Sequence, residues 1–148
     1  MNLGAFAIVI ILSRSGDGKE PSYGEMLSDY EGLAKTEPLW AALMLIFMFS
    51  LTGIPPTAGF VGKFYIFLSV INAGYTWLAV VAVLMSAVSA YFYLRVVMLM
   101  YMREPQKALK VSPNLSESLA ATITTALVII TGISPYYLIE FARITMSL

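Results

Sequence analysis

The segment SLTGIPPTAGFVGK, from Ser50 to Lys63, contains a glycine and proline break and one lysine inside otherwise apolar sequence. Pro55 and Pro56 have no amide hydrogen, and their rings disfavour helix in the residue before them, while Gly53 allows the chain to turn. In hydrocarbon, backbone groups must be satisfied within the protein, so a broken helix is tolerated only where it faces protein or water. The break is therefore a candidate functional site.

Lys63 follows this break, and a lysine inside a membrane is by default a functional hypothesis. Gly59 and Gly62 precede it by four and three residues, which leaves one side of its helix bare for water or a closely packed helix. Hydroxyls that can bond the freed backbone groups come from Ser50, Thr52 and Thr57. The alternatives are a plain kink, a link between two re-entrant helices, and a lysine whose ammonium reaches the headgroups.

The composition is that of an integral membrane protein. Apolar residues make up 59% of the 148 residues and charged residues 12%, against about 25% charged in soluble domains, and the mean hydropathy is +0.79. A net charge of zero gives no reason to expect a nucleic-acid partner. The chain has no cysteine or histidine, which excludes disulfides, thiolate catalysis and histidine ligation of haem, and nearly all zinc sites.

We expect one membrane domain, residues 1–148, with helices at about 1–12, 38–71, 77–101 and 114–133. The run 1–12 is too short for a span of about 20 residues, so it is expected to be the end of a longer helix. A continuous helix over 38–71 would be ~50 Å long, which fits one tilted, interrupted crossing of a ~30 Å core better than a hairpin. The fold predicted is an all-α polytopic membrane bundle with one discontinuous transmembrane helix.

An amphipathic surface helix is expected at about 23–35, following the capping-box pattern of Ser22 and Glu25. Its acidic residues could bind a metal, but a solvated polar face is the favoured interpretation. On the helix at 77–101, small and hydroxylic residues form a stripe that indicates either close helix packing or a polar path. The candidates for a polar path are Ser86, Ser89, Tyr93 and Arg95 on this helix, together with the hydroxyls of Ser50, Thr52 and Thr57 at the break, although Arg95 lies near enough to the helix end to reach the interface.

The loop charges predict an orientation. With one interrupted crossing, the basic residues of 13–37 and 102–113 fall on one side, against Arg143 on the other; they are Arg14, Lys19, Lys35, Arg103, Lys107 and Lys110. Such an asymmetry marks the cytoplasmic side. A hairpin would divide the same residues three against four.

The segment SLTGIPPTAGFVGKFYIF (50–67), with MNLGAFAIVI (1–10) before it and SAVSAYFYLRVVMLMY (86–101) after it, closely resembles the subunit N family of bacterial NADH-quinone oxidoreductase, respiratory complex I. These antiporter-like subunits have fourteen transmembrane helices, with two inverted repeats that each contain a broken helix. The resemblance covers essentially the whole chain and implies a C-terminal third, with 38–71 as the broken twelfth helix. GKFY after the break favours subunit N over the related subunits M and L, and M carries an acid in place of the lysine.

The resemblance implies a function for Lys63, which occupies the position of a lysine in a line of ionisable residues that relays protons along the membrane midplane. It implies no cofactor in this chain, with NADH, flavin, iron–sulfur clusters and quinone on other subunits. It also implies the other membrane subunits and the lipid bilayer as partners, in a bacterial inner membrane. The family's glutamate on helix 5 and lysines on helices 7 and 8 have no counterpart here.

The function expected is that of a non-redox subunit of a proton-translocating quinone reductase. The alternatives are a subunit of a related cation/proton antiporter or membrane-bound hydrogenase, and an inert membrane fragment without its relay partners. We expect the chain alone not to pump, because one lysine and a few hydroxyls cannot bridge ~30 Å of hydrocarbon.

Overall fold

The computed structural model describes residues 1–14, 26–105, 111, 114–136, 140 and 144–145, and within them it is helical, with no β-strand. The helices are α1 (Asn2–Arg14), a 3-10 helix (Leu27–Tyr30), α2 (Leu33–Thr36), α3 (Pro38–Thr52), α4 (Ala58–Asn72), α5 (Thr76–Met102) and α6 (Leu115–Ile133). Of the described helices, α5 and α6 are each long and apolar enough to cross a membrane, while α1, α3 and α4 are apolar but shorter.

Helices α3 and α4 together follow the full length of α5. The residues just before α3 lie beside the end of α5, where the Gly32 amide donates to the Leu99 carbonyl at 3.1 Å. After α4, a short turn with Gly74 at φ 85° leads into the start of α5. The two ends of the α3 and α4 pair thus lie at opposite ends of one antiparallel neighbour. This arrangement is the one expected of a single interrupted crossing, and a hairpin would instead bring both ends of the pair to the same end of α5.

The apolar core lies in the half of the bundle formed by α1 and α3. Ile8, Ile11 and Phe47 are almost fully buried there, and α1 approaches α3 closely because Gly4 has no Cβ to collide with the Phe47 ring. The outer faces of α4 and α5 instead expose large apolar side chains such as Phe64 and Phe92. Exposed apolar surface of this extent is suited to lipid or to further protein helices.

The prediction of an amphipathic surface helix at 23–35 is wrong over the residues described. Leu27–Tyr30 is a 3-10 turn and Leu33–Thr36 a single α-helical turn, and Gly32 separates them in the left-handed conformation at φ 68°. Tyr30 and Leu33 are buried, because they close the end of the core instead of lying on its surface. The capping box of Ser22 and Glu25 lies outside the described residues.

Two ion pairs connect separate parts of the chain at this end, which we call the loop end and define by Arg14, Lys35, Glu104 and Glu117. Arg14 pairs with Glu117 and Lys35 with Glu104. These contacts place the segments before α3, after α5 and before α6 on one side of the bundle. The other loop residues of the charge argument, Lys19, Lys107, Lys110 and Arg143, lie outside the described residues.

Candidate functional site

The break begins where α3 ends at Thr52. Gly53 adopts the left-handed conformation at φ 90°, which favours glycine, and its amide donates to the Phe49 carbonyl at 2.9 Å. The Ile54 amide donates to the same carbonyl at 3.0 Å. Pro55 and Pro56, joined by a cis bond, complete the turn, and α4 begins at Ala58. A helix end leaves its last carbonyls without intrahelical partners, and this turn satisfies only the first of them.

Two of the three predicted hydroxyls bond the backbone of the break. The buried Thr57 donates through Oγ1 to the Ile54 carbonyl at 2.7 Å. The buried Ser50 accepts at Oγ from the Gly59 amide at 3.2 Å, which ties the first turn of α4 to the last turn of α3. Thr52 donates within its own helix, to the Met48 carbonyl at 2.8 Å. The first two hydroxyls therefore stabilise the break, whereas the third does not.

Lys63 satisfies two of the remaining carbonyls of α3. Its Nζ donates to the Leu51 carbonyl at 3.0 Å, to the Thr52 carbonyl at 2.9 Å and to Ser86 Oγ at 2.7 Å. An ammonium has three N–H donors, so the charged amine has one acceptor for each. The end of α3 also carries the partial negative charge of the helix dipole, which attracts a cation. The side chain runs back towards the break and away from the end of α4 at Asn72.

The glycines around the break differ in what an added Cβ would contact. A Cβ at Gly59 would collide with the Ser50 carbonyl, so the close approach of α4 to α3 requires glycine there. A Cβ at Gly53 would lie 3.0 Å from Cδ of Lys63, so this glycine also leaves room for the lysine stem. Gly62 faces open space among the described residues. Sequence reasoning missed Gly132 of α6, whose bare face packs on the Pro56 carbonyl and Thr57.

The predicted polar path along α5 is only partly assembled. Ser86 contacts Lys63. Ser89 is exposed and donates to the Met85 carbonyl of its own helix, Tyr93 packs beside the apolar core, and Arg95 is exposed. Ser86 lies about ten residues from the start of α5 and sixteen from its end, or ~15 Å and ~24 Å along the helix. Lys63 and Ser86 are therefore far from both ends of the bundle.

The surroundings of Lys63 contain little charge. The helices packed against it carry no carboxylate at this level: α3 has no charged residue, α4 only Lys63, and α5 only Arg95, ~14 Å along the helix from Ser86. The one acidic residue of α6, Glu117, lies at the loop end with Arg14. No group of acidic side chains suited to a metal ion occurs among the described residues.

The fold and the site define a class: a bundle of apolar helices in which a discontinuous helix sets an ionisable side chain against a helix end, an arrangement also found in secondary transporters. Within that class, the chain belongs to the NADH:quinone oxidoreductase/Mrp antiporter transmembrane family, whose model matches residues 1–89. The expected membrane fold and the resemblance noted from the sequence are thereby confirmed.

The similar proteins are larger than this chain. NADH-quinone oxidoreductase subunit N 2 of Rhizobium meliloti (strain 1021) is 48% identical over 145 residues, which are 97% of this chain and 29% of that protein. Subunit N of Desulfovibrio desulfuricans is 56% identical over 110 residues, 72% of this chain and 22% of that protein. A chain of respiratory complex I from Thermus thermophilus with bound aureothin has a TM-score of 0.68 and 28% identity, over 90% of this chain and 33% of that one. The chain thus spans about a third or less of these relatives.

Proposed function

We propose that this chain acts as part of a proton-translocating membrane subunit of an NADH:quinone oxidoreductase, in which Lys63 gains and loses a proton during turnover. The observation that carries the proposal is the position of Nζ on the Leu51 and Thr52 carbonyls and on Ser86, where the apolar helix is interrupted. The family and the subunit N relatives support the assignment to such a complex. The other membrane subunits are its proposed partners.

The chemistry of the site suits a proton carrier better than a metal or redox centre. A lysine amine changes charge by losing one proton. The carbonyls at the end of α3 stabilise the charged form without neutralising it, because they are dipoles and not anions. A carboxylate partner would hold the ammonium more tightly, and none lies beside Lys63 in the described part of the chain.

In this proposal the redox chemistry and its cofactors, NADH, flavin, iron–sulfur clusters and quinone, belong to other subunits. The chain alone does not transport protons, since Lys63 is a single step across ~30 Å of hydrocarbon. Its proton must come from and go to groups elsewhere in the whole subunit.

The test changes Lys63 in the full-length subunit within its complex. Lys63→Met removes the charge and keeps an unbranched stem, and Lys63→Arg keeps the charge on a group that does not release its proton. Both variants should assemble, and both should lower proton transport by at least about tenfold at equal amounts of assembled complex, in line with removal of a proton-transfer group. Wild-type transport in an assembled Lys63→Arg enzyme would eliminate Lys63 as an obligatory carrier.

We further propose that the loop end faces the cytoplasm of a bacterial inner membrane. Arg14, Lys35 and Arg103 lie at this end, as expected for the cytoplasmic side. Single cysteines at the exposed Ser28 and Glu104 should react alike with an impermeant reagent added from the cytoplasmic side, and a cysteine at the exposed Asn72 should react only from the other side. Opposite labelling of Ser28 and Glu104 would contradict this orientation.

A further inference from the structure

The Ser86 hydroxyl bonds differently from five other hydroxyls of α4, α5 and α6. Ser69, Ser89 and Thr125 each donate to the carbonyl four residues earlier in their own helix, as do Thr122 and Thr124. Ser86 makes no such bond in the described part of the chain; its oxygen accepts from Lys63 Nζ at 2.7 Å. Its own proton is therefore not committed to the backbone of α5.

The three partners of Lys63 also differ in what they can do when the amine loses a proton. The Leu51 and Thr52 carbonyls only accept hydrogen bonds, whereas a serine hydroxyl both donates and accepts. In the charged state, all three partners accept from the ammonium. When one Nζ–H bond breaks and its proton passes to a water molecule, the electron pair remains on nitrogen and needs a donor. Among the three partners, only Ser86 can supply one.

We propose that Ser86 is a positioning residue for Lys63, which accepts a hydrogen bond from the charged amine and, by rotation of its hydroxyl, donates one to the neutral amine. This inference rests on the proposed function of Lys63. The switch needs no movement of helices, because rotation about the Cβ–Oγ bond reverses the direction of the hydrogen bond. It holds Nζ on the end of α3 in both protonation states, so the amine is ready to be reprotonated at the same place.

Among the described residues, no other hydroxyl and no charged side chain bonds Nζ of Lys63. Arg95, the one charged residue of α5, is ~14 Å along the helix from Ser86, and α3 has none. Of the neighbouring hydroxyls, Thr52 is committed to the Met48 carbonyl and Thr57 to the Ile54 carbonyl. Ser89, one turn further along α5, donates to Met85 and serves as the matched control.

The experiment compares Ser86→Ala, Ser86→Thr and Ser89→Ala in the full-length subunit within its complex, with proton transport measured at equal amounts of assembled enzyme. Ser86→Ala should lower the rate about tenfold, since a hydrogen bond to a charged group is worth about one order of magnitude in an equilibrium. Ser86→Thr keeps the hydroxyl and should retain most of the rate. Ser89→Ala should match the wild type.

A second pair of variants distinguishes a role of the Ser86 hydroxyl in positioning Lys63 from a role of the side chain in packing. Ser86→Thr and Ser86→Val have nearly the same shape and differ in the hydroxyl, so a purely structural role would affect them equally. Higher transport in the threonine variant supports the inference, and equal transport in the two variants overturns it. Wild-type transport in Ser86→Ala beside a defective Lys63→Arg enzyme would remove the role of Ser86 and leave the function of Lys63 intact. Wild-type transport in Lys63→Arg would remove the function itself.

Discussion

Lys63 and Lys35 carry the same charged group in two different regions of the molecule. Lys35 lies at the loop end and pairs with Glu104, and their side chains are 50% and 83% exposed. Lys63 lies at the break, where it is bonded to two carbonyls of α3 and a hydroxyl of α5. Water can take the place of Glu104 around Lys35. By contrast, two of the last carbonyls of α3 receive their hydrogen bonds from Lys63.

The comparison shows that the break in the helix and the lysine beside it belong together, because the break supplies acceptors and the lysine supplies donors. A continuous helix such as α5 satisfies its backbone internally at the same depth and offers no acceptor to a cation. Interrupting the helix frees carbonyls that must be bonded within the protein, and the lysine of the second half bonds two of them. At the loop end, water can also bond the charged groups of the Lys35 and Glu104 pair, so the contribution of this pair to stability is small.

The largest effect is expected from Gly59→Ala. The new Cβ would run into the Ser50 carbonyl, a backbone atom that cannot move away without shifting α3, so the change should cost roughly 3 kcal/mol or more. The amount and melting temperature of the assembled complex should fall. Gly62→Ala is the control, because the same methyl meets open space and alanine favours helix. A matching loss in both variants would show that another helix covers Gly62 and would remove the contrast.

An intermediate effect is expected from Gly53→Ala. The residue has φ 90°, which costs an alanine about 1–2 kcal/mol, and the new methyl would press on Cδ of Lys63. The melting temperature of the complex should fall modestly. Proton transport should fall by more than this loss of stability explains, because Nζ loses its position. Gly74→Ala has a similar φ of 85° without neighbours, and it should affect stability alone. Equal transport in the two variants would contradict the link between Gly53 and Lys63.

The smallest effect is expected from Lys35→Met. Removing an exposed ion pair should change stability by less than about 1 kcal/mol, and transport should equal that of the wild type. Thermal melting and transport of the assembled complex provide the measurement. If Lys35→Met lowered transport as much as Lys63→Met, the two lysines would not differ as their surroundings indicate.

Much of the helical layout was predictable, because glycine, proline and apolar runs determine the conformation of the residues next to them in the chain. The break follows from Gly53, Pro55 and Pro56, and the observed α5 and α6 begin and end within a residue of the predicted 77–101 and 114–133. The segment before α3 was mispredicted, since its periodic apolar residues suit a surface helix. They are in fact divided by Gly32 and buried against the core, and the space that buries them is formed by distant parts of the chain.

Composition, proline and glycine act on their own neighbourhood, so the amino-acid sequence alone indicates a membrane bundle with a broken helix and a lysine beside the break. The packing of the helices was needed to show what the lysine bonds, which of the four candidates along α5 reaches it, and that Gly132 of α6 packs on the break. These contacts join residues far apart in the chain. Their distances depend on how α3, α4, α5 and α6 pack, and no local pattern encodes that.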